Sequence, residues 1–356
     1  MLRTLLAAAL AVLLLAPAAR ADEAALAALK TRIEAGEIPG VHSVIVMRGK
    51  ETLAEWYFPG DDNARGRALG RVMFGPDTLH DVRSVTKSVV SLLVGVAVQD
   101  GAIKSLDTPV LDYFPEYADL QTPERRRVTL RHLLTMTSGL HWDEDTYTYA
   151  DPRNSEIAMD MAPDPYRYVL SQAFDTAPGA QFKYSGGDVA VMAAVLARAT
   201  RTPLDVYAEQ KLFKPLGIAK VEWHRDGKGV PYAASGLRMT PRDMMRIGQL
   251  VQAKGRWNGR QVLPARWVAE ATTAHAQVQP DPKCGMRYGY FWWLSAGCEL
   301  EPAQPWAAGV GNGGQRIIVV RDQDLIVVMT AGLYNSRAQR QTANDVVVGA
   351  LKALRK

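Results

Sequence analysis

The sequence predicts an α+β fold in which strands from both ends of the chain form one mainly antiparallel sheet. Two strand-like runs, residues 41–47 and 52–58, lie near the amino end, and three more, residues 288–294, 316–320 and 325–330, lie near the carboxyl end. The segment between them has the periodicity of helices, interrupted by long loops. The simplest arrangement is a sheet built from both ends of the chain with a helical region inserted between the two groups of strands.

This pattern divides the chain into regions. Residues 22–104 and 230–356 would form a sheet-containing α/β region, and residues 105–229 an inserted, mainly helical region. With 356 residues, of which 47% are hydrophobic and 22% charged, the chain is long enough for a large hydrophobic core. We found no internal repeat.

The first 21 residues have the features of a cleaved secretory signal peptide. Arg3 precedes an apolar run at residues 5–15, and residues 19–21 match an A-x-A cleavage site. The apolar run is too short to span a bilayer well, and nothing else in the sequence approaches that length. We therefore expect a periplasmic or secreted protein with no membrane span after signal removal.

The elements of the amino-terminal part follow in order. A polar–apolar helix is expected over residues 22–36, and the turn at residues 48–50 predicts a hairpin between the first two strands. Residues 61–71 are polar and predict a loop. A helix that is apolar on nearly every side begins near Ser84 and stops near Gly101, so it belongs in the protein interior.

The middle of the chain is predicted to be helical around one long loop. Thr129 has the position of a capping residue before a short helix. Residues 142–166 are too long for a plain connector, and loops of that length in compact proteins are usually functional. Further helices are expected at residues 189–199, 204–212, 241–253, 264–272 and 338–354.

Charge and cysteine content limit the possible partners and compartments. The net charge is +5, and basic residues are scattered apart from the run at residues 125–127, so no nucleic-acid partner is predicted. Cys284 and Cys298 are the two cysteines, and in an exported protein such a pair predicts a disulfide. The alternative is two free buried thiols.

The motif Ser84-x-x-Lys87 constrains the function most. Residues three apart on a helix share a face, so a hydroxyl and an amine would lie side by side. Desolvation at the head of a buried helix favours a neutral amine, which can take the serine proton, and the helix N-terminus favours developing negative charge. The alternative is chance, because this short pattern is expected about once in a chain of this length.

Two further segments could complete a site. Tyr184 precedes Ser185 and Gly186 at the predicted start of a helix, and its phenol could exchange protons with the Ser84–Lys87 pair. The alternative is that this segment is only a helix-capping turn. Residues 309–314 formally match G-x-G-x-x-G, but a strand follows where a dinucleotide site needs a helix. Glycines beside a strand would instead permit close approach of a ligand, with backbone N–H groups forming an oxyanion hole.

Other catalytic chemistries are less well supported. The six histidines show no H-x-x-x-H spacing, and the sequence has no C-x-x-C, phosphate-binding loop or G-x-S-x-G motif. His80 is the only candidate for a histidine-based triad with Ser84. No metal or cofactor is predicted.

Taken together, Ser84-x-x-Lys87, Tyr184-Ser-Gly and Asn312-Gly-Gly resemble the three motifs of the penicillin-recognising serine hydrolases. The similarity is greatest to the class C β-lactamase-like branch, with its esterases, D,D-peptidases and 6-aminohexanoate-dimer hydrolases. Residues 132–140, 212–218 and 236–241 also look like characteristic stretches of that family. The resemblance covers roughly residues 35–350 and implies the β-lactamase/transpeptidase-like fold.

The resemblance implies a role for each matching residue. Ser84 would be the acylated nucleophile, Lys87 its activating partner and Tyr184 the proton shuttle, with either of the latter two as the base. The backbone N–H groups of Ser84 and Gln315 would form the oxyanion hole. Asn312, Gly313 and Gly314 would contact a small ester, amide or peptide-like substrate.

Two departures from the family pattern bear on the substrate. Gly186 stands where class C β-lactamases usually have Asn, and Asn312 stands where they usually have Lys or His. Both changes favour an ester or amide hydrolase. The alternatives are a periplasmic D,D-peptidase or weak β-lactamase, and a non-catalytic binding module on the same fold.

Aromatic residues are the candidates for substrate selectivity. Trp142 and Tyr147 lie in the long loop and are predicted to roof the acyl site. The alternative is that they are core or loop-packing aromatics. Trp292 and Trp293 lie on a predicted strand, where adjacent side chains face opposite ways, so at most one of them should line the cleft.

Overall fold

The computed structural model describes residues 23–281, 283–300 and 302–354. The predicted signal peptide, residues 1–21, lies outside the described residues. An amino-terminal helix, α1, covers residues 23–34. It leads into the predicted hairpin of β1 (Val41–Arg48) and β2 (Glu51–Tyr57).

The loop predicted over residues 61–71 is wrong, because this segment forms a second hairpin. Its strands are β3 (Gly60–Ala64) and β4 (Arg67–Val72), paired antiparallel. The connecting residues Arg65 and Gly66 both have positive φ, at 46° and 89°, as tight hairpin turns require. β3 is polar in composition and β4 is largely exposed, so neither has the apolar alternation by which strands are predicted.

The remaining helices lie mostly in the middle of the chain. In chain order they are α2 (Val85–Gln99), α3 (Leu130–Leu134), α4 (Ser155–Met161), α5 (Pro165–Ser171), α6 (Gly186–Thr200), α7 (Leu204–Ala208), α8 (Lys214–Leu216), α9 (Pro241–Gln252), α10 (Ala265–Ala271) and α11 (Ala338–Ala353). A π-helical turn, Glu209–Phe213, joins α7 to α8.

The remaining strands lie mostly in the carboxyl-terminal part. They are β5 (His80–Asp81), β6 (Glu222–Trp223), β7 (Leu237–Met239), β8 (Arg256–Trp257), β9 (Arg260–Gln261), β10 (Ala276–Gln277), β11 (Arg287–Tyr288), β12 (Trp293–Ser295), β13 (Trp306–Gly311), β14 (Gln315–Val320) and β15 (Leu325–Ala331).

The main sheet confirms the predicted α+β fold class. It has eight strands in the order β10-β11-β12-β13-β14-β15-β1-β2, and its paired strands are antiparallel. The last strand, β15, pairs with the first, β1, in a register that places Val44 opposite Met329. The described part of residues 105–229 adds no strand to this sheet, and the division into regions stays a prediction.

Two predictions about the carboxyl-terminal strands are wrong. The single strand expected over residues 288–294 is two strands, β11 and β12, joined by a turn in which Phe291 has a φ of 58°. The strand β13 was not predicted. Its glycines Gly309 and Gly311 weaken the usual β-strand composition.

The sheet separates two hydrophobic cores. Along β1, Val44 and Val46 pack with α1 and α11, whereas Ile45 and Met47 face the core that contains α2 and α9. This alternation is the expected period of two along a strand. Among the described residues, no helix combines the length and the apolar character needed to cross a bilayer.

A disulfide encloses the β11–β12 hairpin. Cys284 and Cys298 are bonded, with Cα atoms 5.7 Å apart and a sequence separation of 14. The bond ties residues on either side of the β11–β12 hairpin, at the edge of the sheet remote from β1.

We predict that replacing both Cys284 and Cys298 by Ser lowers stability and leaves the chemistry unchanged. Releasing a loop of this size should cost about 3 kcal/mol in the chain-entropy model. Thermal unfolding of the oxidised protein and of the double variant measures the effect. An unchanged melting temperature would contradict the prediction.

Candidate active site

Ser84 and Lys87 meet at the start of α2. Lys87 Nζ lies 3.2 Å from Ser84 Oγ, to which it donates, and it donates a second hydrogen bond of 2.9 Å to the Ala234 carbonyl oxygen. Lys87 is only 1% exposed. The predicted proximity of the two side chains is therefore observed, and the amine is held by two neutral acceptors.

The packing of α2 fixes this geometry. Gly95 lies flat against Trp267, whose ring atom Cδ1 would be 2.3 Å from an added Cβ, and Trp267 Nε1 donates to the Ser91 carbonyl oxygen at 3.0 Å. Ser88 Oγ donates to the Phe291 carbonyl oxygen at 2.8 Å. The helix is thus anchored to both α10 and the sheet, so the Ser84–Lys87 turn cannot shift freely.

Tyr184 closes the site from the other side. Lys87 Nζ lies 4.9 Å from the Tyr184 ring centroid. Burial, with the nearby Glu144 charge, raises the pKa of Tyr184 well above its usual value, and the neighbouring Ser84 side chain acts in the opposite direction. A neutral phenol beside Ser84 is suited to give a proton to a leaving group.

The alternative prediction, that residues 184–186 form a helix-capping turn, is also correct, because Ser185 acts as a cap. Ser185 caps α6, because the Asp188 N–H donates to Ser185 Oγ at 3.0 Å. The same turn directs Tyr184 toward Lys87. Ser185 therefore caps the helix, while the adjacent Tyr184 carries the phenol toward the site.

The third motif is the turn between β13 and β14. Gly313 and Gly314 have φ of 96° and 105°, which only glycine adopts readily, and Asn312 Nδ2 donates to Asn335 Oδ1 at 2.6 Å. The Asn335 N–H in turn donates to Asn312 Oδ1 at 2.8 Å. The side chain of Asn312 thus braces the following loop, and its proposed contact with substrate stays a prediction.

Gln315 is locked to the neighbouring strand by its side chain. Its Nε2 donates to the Ala331 carbonyl oxygen at 2.6 Å, and the Ala331 N–H donates to its Oε1 at 3.2 Å. Among the described residues, the Ser84 N–H has no hydrogen-bond partner. The proposed oxyanion hole of Ser84 and Gln315 stays a prediction.

The sequence predicts that Gly309 and Gly311 let a ligand approach the strand closely. In the structure, other parts of the protein occupy the space beside these two glycines. An added Cβ at Gly311 would lie 2.2 Å from the Val82 carbonyl oxygen, and one at Gly309 would lie 3.2 Å from Ser88 Oγ. The absent side chains let β13 lie directly against α2 and the segment leading to Ser84. This close packing brings the first and third motifs together.

The prediction that Trp142 roofs the acyl site is wrong. Trp142 is 1% exposed and packs under α6, where its ring would be 2.6 Å from a Cβ added at Gly187. Small residues at the start of α6 leave room for the indole in the core. Tyr147 is half-buried under the Arg153 guanidinium, 4.3 Å from the ring centroid, and its role in binding stays a prediction.

The two adjacent tryptophans differ in burial, which leaves one of them able to line the cleft. Trp292 is fully buried, whereas Trp293 is partly exposed and stacks on Tyr184 with ring centroids 5.7 Å apart. Trp293 is therefore the better candidate for contact with a bound substrate.

Sequence reasoning missed two buried acids beside the second motif, Glu144 and Glu156. Glu144 Oε1 accepts from the Gly186 N–H and from Trp142 Nε1, both at 2.5 Å. Burial, and then the charge of Glu156, raise the pKa of Glu144 to about 7, while Lys87 lowers it. The signal in the sequence was Gly186 itself, whose missing side chain leaves space for another group.

The histidine-based triad is not supported, because His80 belongs to a separate buried network. His42 Nδ1 and His80 Nε2 lie 2.9 Å apart, and Asp62 Oδ1 lies 3.6 Å from His80 Nε2. Tyr334 OH is 3.1 Å from His80 Nδ1. Within the described ranges, His42, Asp62 and His80 are the one group that could offer three ligands to a metal ion. The hydrogen bond between His42 and His80, with those of Tyr334 to His80 and to Asp62, already accounts for their burial.

A cavity of about 700 Å³ lies behind the site, between α4, α6 and residues 225–234. Its wall includes Ala234, whose carbonyl oxygen accepts from Lys87, and Glu156. Ser84 and Tyr184 do not line it. The cavity thus shares a wall with the candidate active site without opening onto the nucleophile.

Comparisons with known proteins agree with this arrangement. A family model described as Beta-lactamase matches residues 25–351. The 6-aminohexanoate-dimer hydrolase of Paenarthrobacter ureafaciens is 25% identical over 309 residues, which cover 80% of this chain and 70% of that protein.

Solved structures share the fold at low sequence identity. A Bacillus anthracis protein provisionally assigned as a 6-aminohexanoate-dimer hydrolase superposes with a TM-score of 0.72 at 19% identity, over 91% of this chain and 82% of its own. EstCE1, a hydrolase with promiscuous acyltransferase activity, superposes with a TM-score of 0.71 at 16% identity, over 92% and 99% of the two chains.

We predict that Gly186→Ala destabilises the protein. The added Cβ would lie 2.8 Å from Glu144 Oε1 and 2.9 Å from Glu156 Oε2, and crowding of this kind in a packed interior costs about 1–3 kcal/mol. Denaturant unfolding measures the change. Gly227→Ala is the matched control, because nothing lies within 4 Å of its added Cβ. Equal stability of both variants would contradict the prediction.

Proposed function

This chain belongs to the beta-lactamase family of serine hydrolases, and from that premise we propose that it cleaves ester or amide bonds through an acyl-enzyme on Ser84. The observation that carries the proposal is the buried Lys87 Nζ, 3.2 Å from Ser84 Oγ at the head of α2. A serine hydroxyl needs such a partner to become nucleophilic at neutral pH.

The proposed reaction has two steps. Ser84 Oγ attacks the substrate carbonyl and its proton passes to the Lys87–Tyr184 pair, while backbone N–H groups stabilise the oxyanion. Tyr184 returns a proton to the leaving alcohol or amine as the carbonyl–heteroatom bond breaks. Water then attacks the acyl group on Ser84, and the same groups act in reverse order.

The substrate class follows from the second and third motifs. Asn312 carries no charge and its amide is occupied by Asn335, so this position offers no cation to a substrate carboxylate. This supports neutral esters and amides over penicillins and D-alanyl peptides. Two relatives, one named as a 6-aminohexanoate-dimer hydrolase and one as a hydrolase with promiscuous acyltransferase activity, support hydrolysis or acyl transfer as the chemistry.

We also propose that the protein acts in the periplasm or outside the cell. The support is the predicted leader and the disulfide between Cys284 and Cys298, a bond typical of oxidising compartments.

Ser84→Ala is expected to abolish both hydrolysis and covalent labelling. Wild-type protein treated with a fluorophosphonate probe should carry the label on Ser84, located by mass spectrometry of its peptides. Activity is screened with p-nitrophenyl esters, short linear amides, nitrocefin and D-Ala-D-Ala peptides. A label on another residue would refute the proposed mechanism. No label at all would favour a non-catalytic module.

Lys87→Ala and Tyr184→Phe should each lower kcat by a factor of about 10²–10⁴, the usual size of general acid–base effects. Because the two side chains act on one hydroxyl, the double variant should be little slower than either single one. Steady-state kinetics of the four proteins measures the coupling. Multiplying losses in the double variant would show that they act independently.

A further inference from the structure

Three buried side chains outside the candidate active site bring potential metal ligands close together. His42 lies on β1, Asp62 on β3 and His80 on β5, and they are 1%, 5% and 0% exposed. One nitrogen of each histidine and one carboxylate oxygen of Asp62 lie within 4.8 Å of one another. Three different strands thus place two imidazoles and a carboxylate around one point in the interior.

His80 turns a lone pair toward the other two side chains. Its Nδ1 lies 3.2 Å from the Asp81 carbonyl oxygen, which can only accept a hydrogen bond, so Nδ1 carries the proton. Neutral His80 then has its lone pair on Nε2, 2.9 Å from His42 Nδ1 and 3.6 Å from Asp62 Oδ1. A ring N–H bound to a backbone carbonyl, with the second nitrogen turned inward, is the usual arrangement of a histidine that binds a metal.

Hydrogen bonds account for the burial of these polar atoms, but they do not balance the charge of Asp62. Tyr334 OH donates to Asp62 Oδ1 at 3.2 Å. Among the described residues, no lysine or arginine forms an ion pair with Asp62, and its contact with His80 is to the nitrogen that carries no proton. Buried carboxylates are usually paired with a cation or bound to a metal. A cation between Asp62 and the two rings would supply the missing charge.

The spacing of the three ligand atoms fits a zinc ion. Zn²⁺ binds histidine nitrogen and carboxylate oxygen at about 2.0–2.2 Å in tetrahedral geometry, which separates neighbouring ligand atoms by roughly 3.3 Å. The observed separations of 2.9 and 3.6 Å lie on either side of that value. Small rotations of the side chains therefore complete the geometry, and the fourth position is left for a water molecule.

His42 has room to present the required nitrogen. Gly60 and Gly332 carry no side chain, and a Cβ added to them would lie 2.5 and 2.7 Å, respectively, from His42 Nε2. The space beside Nε2 also borders the Asp61 carbonyl oxygen, which would lie 2.5 Å from the same Cβ on Gly332. The neutral ring can therefore carry its proton on Nε2 near a backbone acceptor, which leaves Nδ1 free for a metal.

We propose that His42, Asp62 and His80 form a structural zinc site that joins β1, β3 and β5. The inference goes beyond the proposed hydrolase activity and does not depend on it. The two cysteines of the chain are bonded to each other, so no thiolate competes for the ion. His80 lies four residues before Ser84, so an ion held there fixes the segment that leads to the candidate nucleophile.

The test loads the metal during folding, because the three residues are buried. The protein is unfolded in guanidinium chloride with its disulfide intact, refolded with ZnCl₂ or with EDTA, desalted, and assayed for metal by elemental mass spectrometry. We expect about one zinc per chain and a higher melting temperature after refolding with zinc, since a ligand that binds only the folded state stabilises it. Refolding with Co²⁺ instead should give the strong visible absorption of a four-coordinate ion.

Two variants separate this site from the surface. Asp62→Asn removes the carboxylate ligand with little change in shape and should lower zinc affinity by about tenfold or more. His141→Gln removes an exposed histidine that pairs with Asp175, and this matched control should keep both the zinc and the cobalt absorption.

Wild-type protein that keeps no zinc, with equal melting temperatures after refolding in zinc and in EDTA, would overturn the inference. Unchanged zinc affinity in Asp62→Asn, or loss of the zinc in His141→Gln, would place the ion elsewhere and overturn it too. If Asp62→Asn does not fold, the cobalt spectrum of the wild type decides. Cobalt bound at the surface is six-coordinate and absorbs weakly, so a weak spectrum would then refute the site.

Discussion

A buried amine is the constraint on which the site depends. Lys87 is almost fully removed from solvent at the head of an apolar helix, and its two hydrogen bonds go to neutral oxygens. Burying such a group without compensation is costly, so the surroundings must supply both acceptors and charge. The segment at Ala234 supplies an acceptor, and the loop before α4 supplies the charge of Glu144. Segments distant in sequence are thereby brought together around one amine.

Much of the fold and part of the site follow from local sequence patterns. The Ser84–Lys87 spacing specifies its own geometry because one helical turn joins the two residues, and the alternating strands at both ends specify the sheet. The strands that were not predicted were missed for a different reason. The exposed hairpin of β3 and β4 and the glycine-containing β13 lack apolar alternation, so their pairing depends on partners far away in the chain.

The buried acids Glu144 and Glu156 could not be predicted from the sequence, for a related reason. Glu144 stands among other acidic residues in a loop, and nothing in its neighbourhood distinguishes it from a solvated one. Its burial arises only when Gly186 leaves space beside it and when Trp142 packs under α6. The absent side chain of Gly186 and the burial of Glu144 thus depend on each other. This dependence can be recognised in the structure but not in the sequence.

The pairing of β1 with β15 has a consequence for the timing of folding. Ser43 Oγ and Thr330 Oγ1 lie 2.6 Å apart across this pair, although 287 residues separate them. Contacts between such distant residues are slow to form, and the ribosome must release Thr330 before this one can. The strands that carry the third motif lie beyond most of this interval. A nascent chain therefore holds Ser84 for most of this interval without β13 and β14 beside it, and the first and third motifs meet only after β14 has left the ribosome.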